Sequence, residues 1–74
     1  MKIHLLFFAI LREKIGQAEG TYEVEAGETV GGLATRLFGF KESLLFAVNH
    51  QYVPCDYVIQ EGDEVAFVPP VAGG

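Results

Sequence analysis

The sequence predicts an α+β fold in which a mixed sheet carries one main helix on one of its faces. Residues 2–8 and 64–68 are apolar at nearly every position, which is typical of central strands. Between them, residues 30–37 repeat apolar side chains at helical spacing. A hairpin at the start, one crossing helix and a central last strand together give a mixed sheet whose second face is uncovered.

The amino-terminal segment predicts a strand, a short helical turn and a second strand. The first strand leads into helix formers at 9–15, and Gly16 suits the left-handed conformation that ends such a turn. Residues 21–25 alternate apolar and acidic side chains, with Tyr22 and Val24 on one face. They therefore predict a half-exposed strand that pairs with the first.

The main helix and three further strands follow. Thr29 is placed to cap the helix and Gly39 to end it, while the two glycines at 31–32 indicate close packing at its first turn. Residues 44–48 and 52–54 predict two short strands about a turn whose type the sequence leaves open. A second turn leads into the last strand.

Length and charge exclude several classes of protein. A chain of 74 residues buries only about 60% of its unfolded surface, so we expect a single domain, 1–74, without room for a self-sufficient active site. The net charge of −5 disfavours nucleic acid and favours a basic partner. The longest apolar run has seven residues, too few to span a bilayer, and one cysteine cannot form an internal disulfide. We therefore expect a cytoplasmic protein that binds neither membrane nor nucleic acid.

The carboxyl-terminal segment carries the strongest functional signal. Pro69 and Pro70 fix their φ angles and cannot donate to a sheet, so residues 69–74 predict an extended arm beyond the sheet. Gly73 and Gly74 end this arm as a flexible thread without side chains, which can enter a narrow channel of another protein. The pattern predicts that the terminal carboxylate of Gly74 reacts inside a partner.

Several motifs that follow one another cover nearly the whole chain. They are Phe-Phe-Ala at 7–9 with Arg-Glu at 12–13, Ala-Val-Asn at 47–49, Gly-Asp-Glu-Val-Ala-Phe at 62–67, and Pro-Pro-Val at 69–71 before Gly-Gly. Together they resemble the MoaD/ThiS family of sulfur carriers, in particular the small subunits of molybdopterin synthases. The resemblance implies a β-grasp, ubiquitin-like fold, which agrees with the order of elements above. Ala72 departs from the family, where a small polar residue commonly precedes the two glycines.

The resemblance also implies a chemistry for Gly74. An activating enzyme of the ubiquitin-E1 type adenylates its carboxylate with ATP and magnesium, and a sulfur donor then replaces AMP to leave a thiocarboxylate. The carrier docks on a large catalytic subunit, as part of a heterotetramer, and delivers its sulfur to cyclic pyranopterin monophosphate to build the dithiolene. By this resemblance the chain binds no cofactor or metal itself and has no activity alone.

Three other interpretations stay open at the level of sequence. A thiamin-type sulfur carrier shares the fold, the tail and its activation, but tends to lack the Phe-Phe-Ala opening and the Pro-Pro-Val arm. A ubiquitin-like modifier would join Gly74 to lysines of target proteins. A plain interaction domain would carry an inert tail.

Apolar side chains on the uncovered face predict a docking surface beside the tail. Leu6 and Phe8 point away from the core, Val68 has the same relation to its own strand, and Tyr52 joins them. Arg12 matches an arginine of the family, and it would pair with an acid of the partner, pair with Glu13, or stay a solvated charge. The predicted partner-binding residues are Phe8, Arg12, Tyr52, Val68, Pro69, Pro70 and Val71.

The remaining reactive side chains predict no site of their own. Cys55 lies beside Asp56, which disfavours the thiolate, so we expect a buried structural cysteine that carries no sulfur cargo. His4 and His50 with one cysteine do not form a zinc ligand set.

Overall fold

Five strands and two helices form the protein, in a computed structural model that describes residues 1–41 and 44–69. The strands are β1 (Lys2–Phe7), β2 (Glu19–Glu23), β3 (Leu45–Val48), β4 (Gln51–Val53) and β5 (Glu64–Val68), and the helices are α1 (Ala9–Ile15) and α2 (Val30–Phe38). The sheet order is β2-β1-β5-β3-β4. β1 runs parallel to β5 and every other neighbouring pair is antiparallel, which confirms the predicted mixed sheet.

Helix α2 begins and ends where the sequence predicts. The Thr29 side-chain oxygen accepts a hydrogen bond from the Gly32 N–H at 3.0 Å, which satisfies one of the free donors of the first turn. Gly39 has a φ of 86°, and its N–H donates to the Thr35 carbonyl at 2.8 Å to close the last turn.

The close packing expected at the first turn of α2 is present at Gly31. Its N–H donates to the Cys55 carbonyl at 2.8 Å, and a Cβ at this position would lie 2.8 Å from the same oxygen. Only glycine lets the helix approach the loop after β4 this closely. The approach fixes the start of α2 against that loop.

The core lies between α2 and one face of the sheet. Phe7 of β1 and Phe67 of β5 are buried at its centre with their ring centroids 6.3 Å apart. Phe38, at the end of α2, meets Phe67 edge to face at 5.4 Å. Side chains alternate along a strand, so the residues that flank Phe67 in β5 point to the opposite face of the sheet. We call this the uncovered face, because neither helix packs on it.

Each of the strands β1 to β4 differs from its predicted bounds by one or two residues; β3 begins one residue later than predicted and β4 lies one residue earlier. β1 ends at Phe7, because Phe8 leaves the ladder to become the residue before α1, with φ −120° and ψ 150°. β2 lies two residues earlier than predicted, since its ladder with β1 ends where Glu23 pairs with Lys2 near the start of the chain. Val24 lies beyond that ladder and is buried, as its predicted face requires.

The predicted arm lies almost wholly outside the described residues, which end at Pro69. Pro70, Val71, Gly73 and Gly74 belong to that undescribed end. Pro69 itself is half-buried directly after β5. In the described part of the chain, neither helix has the length and apolar character needed to cross a membrane.

Candidate functional site

The uncovered face of the sheet divides into a polar half and an apolar half. The polar half, toward β2, is formed by Lys2, His4, Glu19, Thr21 and Glu23. The apolar half, toward β4, is formed by Leu6, Leu45, Ala47, Tyr52, Ala66 and Val68, with Phe8 at the end of β1. The division places the apolar half around the carboxyl end of β5, where the chain leaves the sheet.

A shallow trough of about 270 Å³ runs through the apolar half. Its floor is low because two small residues, Ala47 and Ala66, lie directly opposite each other on β3 and β5. The residues that line the trough are Leu6, Phe8, Ala47, His50, Tyr52, Glu64, Ala66 and Val68. A low floor between larger side chains is a shape that can accept an apolar side chain of another protein.

The structure brings three of the predicted partner-binding residues together on this trough. Phe8, Tyr52 and Val68 all line it. The Phe8 residue is 45% exposed and Tyr52 is 73% exposed, although both are large and aromatic. Aromatic residues left open around a concave apolar surface are typical of protein docking sites, and the docking role of these three stays a prediction.

Arg12 lies apart from that group. It is exposed on α1, and it does not line the trough. Within residues 1–41 and 44–69 no ion pair joins it to Glu13, so the local pairing considered from sequence is absent from the described structure. Its pairing with an acid of a partner stays a prediction.

A tight turn closes the far end of the trough, and the sequence left its type open. Asn49 and His50 join β3 to β4 with φ angles of 52° and 73°. Positive φ at both positions of a two-residue loop is the geometry of a type I′ hairpin turn. Asparagine tolerates this conformation, whereas histidine in it costs about 1 kcal/mol. The sequence prediction left three residues, 49–51, between the two strands and offered no glycine for the turn; the ladder shortens the loop to two residues because Gln51 pairs with Val48.

Glu64 lies beside this turn at the first position of β5. The Asn49 backbone N–H donates to the Glu64 carbonyl at 2.8 Å, and the Asn49 side-chain oxygen accepts from the Glu64 N–H at 3.0 Å. The His50 Nε2 atom lies 3.4 Å from a Glu64 carboxylate oxygen. Sequence reasoning assigned no role to Glu64 or His50, since strand pairing across 14 residues brings them together.

Asp63 is buried behind the turn with only 6% of its surface exposed. Its carboxylate accepts hydrogen bonds from the Asn49 side chain at 3.0 Å, the Tyr57 hydroxyl at 3.1 Å and the Gln60 N–H at 2.8 Å. Burial raises the pKa of Tyr57, and its hydrogen bond to the Asp63 carboxylate raises it further. The carboxylate therefore ties the turn to the loop between β4 and β5.

The expectation of a buried Cys55 is wrong. Cys55 is exposed in the loop after β4, where its backbone carbonyl accepts the hydrogen bond from Gly31. It lines a second depression, of about 410 Å³, together with Leu44, Leu45 and Pro54, and Tyr52 lines both this depression and the trough. In the described residues, no group of three histidine, cysteine or acidic side chains is arranged to hold a metal ion.

Comparison with known proteins agrees with this geometry. The sequence profile of the ThiS family matches residues 5–74. The chain belongs to the ThiS family. Among its curated relatives, the molybdopterin synthase sulfur carrier subunit of Chlamydomonas reinhardtii is 36% identical, and the similarity covers all of both chains. The ThiS-family resemblance seen in the motifs is thereby confirmed.

Solved structures confirm the ubiquitin-like β-grasp fold expected for a ThiS-family chain. The crystal structure of SAMP1 from Haloferax volcanii matches with a TM-score of 0.80 at 24% identity, covering all of both chains. A chain from the complex of subunits 1 and 2 of the molybdopterin-converting factor of Helicobacter pylori matches with a TM-score of 0.63 at 20% identity, again over all of both chains. At these identities the structural likeness establishes the fold alone.

Proposed function

We propose that this chain is the sulfur carrier subunit of a molybdopterin synthase. The observation that carries the proposal is the end-to-end similarity to relatives that bear this name, 36% in the case of the algal protein. The trough supports it, because a carrier without an active site must be recognised by its partners through such a surface. The reacting group would be the carboxylate of Gly74, six residues beyond Val68.

The position of the trough supports delivery of the tail to the partner that binds it. Six residues in extended conformation reach at most about 20 Å. A partner docked on the trough beside Val68 would therefore find Gly74 within that distance of the contact. We infer that this partner is the large subunit of the synthase, and the matched Helicobacter pylori structure, a complex of subunits 1 and 2 of the molybdopterin-converting factor, supports a partner of this kind. The assembly of the two subunits as a heterotetramer belongs to the same proposal.

The chemistry proposed for the tail requires two further partners, an adenylating enzyme and a sulfur donor. A free carboxylate is a poor electrophile, and attack of its oxygen on the α-phosphorus of ATP, with loss of pyrophosphate, gives an acyl adenylate with a good leaving group. A donor of sulfide-level sulfur then attacks the acyl carbon, so that a C–S bond forms, AMP leaves and a thiocarboxylate remains on Gly74. ATP and magnesium belong to an adenylating enzyme of the ubiquitin-E1 type, so that the chain acts as substrate and carrier.

Intact-mass measurement tests the proposal. The chain is incubated with its adenylating enzyme, ATP and a sulfur donor, and then with the large subunit and cyclic pyranopterin monophosphate. We expect exchange of one oxygen for sulfur at Gly74, followed by loss of that sulfur as the dithiolene forms. A control chain without Gly74 should keep its fold and acquire no sulfur. A ladder of lysine conjugates would instead identify a protein modifier, and sulfur loading without delivery to the pyranopterin would point to a thiamin-type carrier.

A further inference from the structure

The far end of the trough presents one carboxylate. Among the described residues that line the trough, Glu64 is the only acidic one and none is lysine or arginine. Its backbone N–H and carbonyl are both hydrogen bonded to Asn49, at 3.0 and 2.8 Å. These two bonds fix the backbone from which the Glu64 side chain projects. The side chain is 36% exposed, so its carboxylate is accessible to a partner at this end of the trough.

His50 occupies a backbone conformation that its own contacts do not compensate. Its φ of 73° favours glycine, and its side chain is 87% exposed. In the described structure, its one polar contact is the approach of Nε2 to the Glu64 carboxylate at 3.4 Å, and exposed pairs of this kind contribute little to stability. The hairpin turn requires this positive φ, so histidine here carries a local cost that glycine would avoid.

No lysine or arginine of the described chain forms an ion pair with Glu64. His4 is its neighbour across the β1–β5 ladder, but the His4 Nε2 atom already lies 2.7 Å from a carboxylate oxygen of Glu19. The chain as a whole is acidic, with ten acidic residues against five lysines and arginines. Both the local and the overall negative charge therefore favour binding of a positively charged group of another protein.

We propose that Glu64, positioned by Asn49 and flanked by His50, receives a lysine or arginine side chain of the large synthase subunit. An apolar side chain next to that cation would fill the trough over Ala47 and Ala66. A partner surface would therefore bind only if it presents a cation and an apolar side chain at the spacing of Glu64 and the trough. The inference rests on the proposed function, since it specifies how the same partner is recognised.

Affinity measurements at several salt concentrations test this inference. The purified large subunit is titrated into the parent chain and into Glu64→Gln, which keeps the shape of the side chain and the backbone bonds to Asn49. We expect about tenfold weaker binding and a flatter dependence on salt, since the lost contact is between charges. The control Glu25→Gln removes the same charge from an exposed loop residue outside the trough, and should bind within about twofold of the parent.

A second variant separates recognition from folding. His50→Gly should raise the midpoint of thermal unfolding by about 4 °C, because glycine accepts the turn conformation, while the Glu64 carboxylate remains and the affinity for the large subunit stays within about twofold of the parent. Parent-like affinity and salt dependence of Glu64→Gln would overturn the inference. A loss of affinity in His50→Gly as large as in Glu64→Gln would also overturn it, since the turn and not the carboxylate would then carry the binding. If either result is found while the parent chain still loads and transfers sulfur, the proposed function stands and the inference alone fails. Absence of binding by the parent chain would overturn both.

Discussion

The Asn49 side-chain nitrogen donates to the Asp63 carboxylate at 3.0 Å, across the junction between the β3–β4 turn and the start of β5. The same asparagine pairs with the backbone of Glu64 on both sides. Residues of the turn and of the last strand are thereby held as one unit. That unit places His50 and Glu64 at one end of the trough, while Val68, at the other end of β5, leads toward the tail.

Loss of the Asp63 carboxylate should destabilise the fold. In Asp63→Ala, the Asn49 amide, the Tyr57 hydroxyl and the Gln60 N–H all lose their acceptor at a buried position. We expect the free energy of unfolding in urea to fall by about 2–4 kcal/mol. Asp56→Ala, at an exposed residue of the same loop, is the control and should change it by less than about 0.5 kcal/mol. A loss of similar size in both variants would contradict the network.

Tyr57 should make stability depend on pH in the alkaline range. Its folded-state pKa lies above the unfolded value of about 10, so the folded chain holds the proton longer. The contribution is therefore fully present below pH 10 and is lost as the pH rises toward the folded-state value. Urea unfolding from pH 8 to 11 should show the difference between the parent and Tyr57→Phe shrinking at the upper end. A difference that stays constant over that range would contradict the assignment.

Two neighbouring glycines of α2 should respond differently to alanine. In Gly31→Ala the new Cβ would lie 2.8 Å from the Cys55 carbonyl oxygen, so the backbone of helix or loop must move. We expect a net loss of about 1–3 kcal/mol in spite of the better helix propensity of alanine. In Gly32→Ala the nearest atom is the Thr29 hydroxyl at 3.1 Å, which belongs to a side chain, and the change should stay within about 0.5 kcal/mol. Thermal unfolding of both variants measures the two losses, and equal losses of stability would contradict the close approach at Gly31.

Phe8 should contribute to binding more than to folding. Because it is half-exposed at the trough, Phe8→Ala should weaken binding to the large subunit by about tenfold while the unfolding temperature changes little. Val58 is similarly exposed, at 44%, but lies away from the trough, so Val58→Ala is the matched control and should bind like the parent. Calorimetric titration measures both, and equal affinities for the two variants would remove Phe8 from the docking surface.

Much of the fold followed from local patterns. The cap at Thr29, the helix end at Gly39 and the buried last strand each depend on residues within a few positions of one another, and such signals survive folding unchanged. The boundary of β2 did not follow, because the ladder with β1 decided it. The exposure of Cys55 did not follow either, since it depends on how the loop after β4 meets α2.

The sequence by itself determined the ThiS-family motifs and predicted the mixed sheet, because short-range spacing encodes them. The role proposed for Gly74 comes from the resemblance of those motifs to the family. Tertiary structure alone decided that Ala47 and Ala66 form the floor of a trough and that Glu64 lies beside His50 at its end. Strand register makes these neighbours, and register is set by hydrogen bonds and burial across the whole sheet. The two terminal glycines in the sequence suggest the proposed sulfur cargo, and the sheet forms the surface through which a partner would recognise the chain.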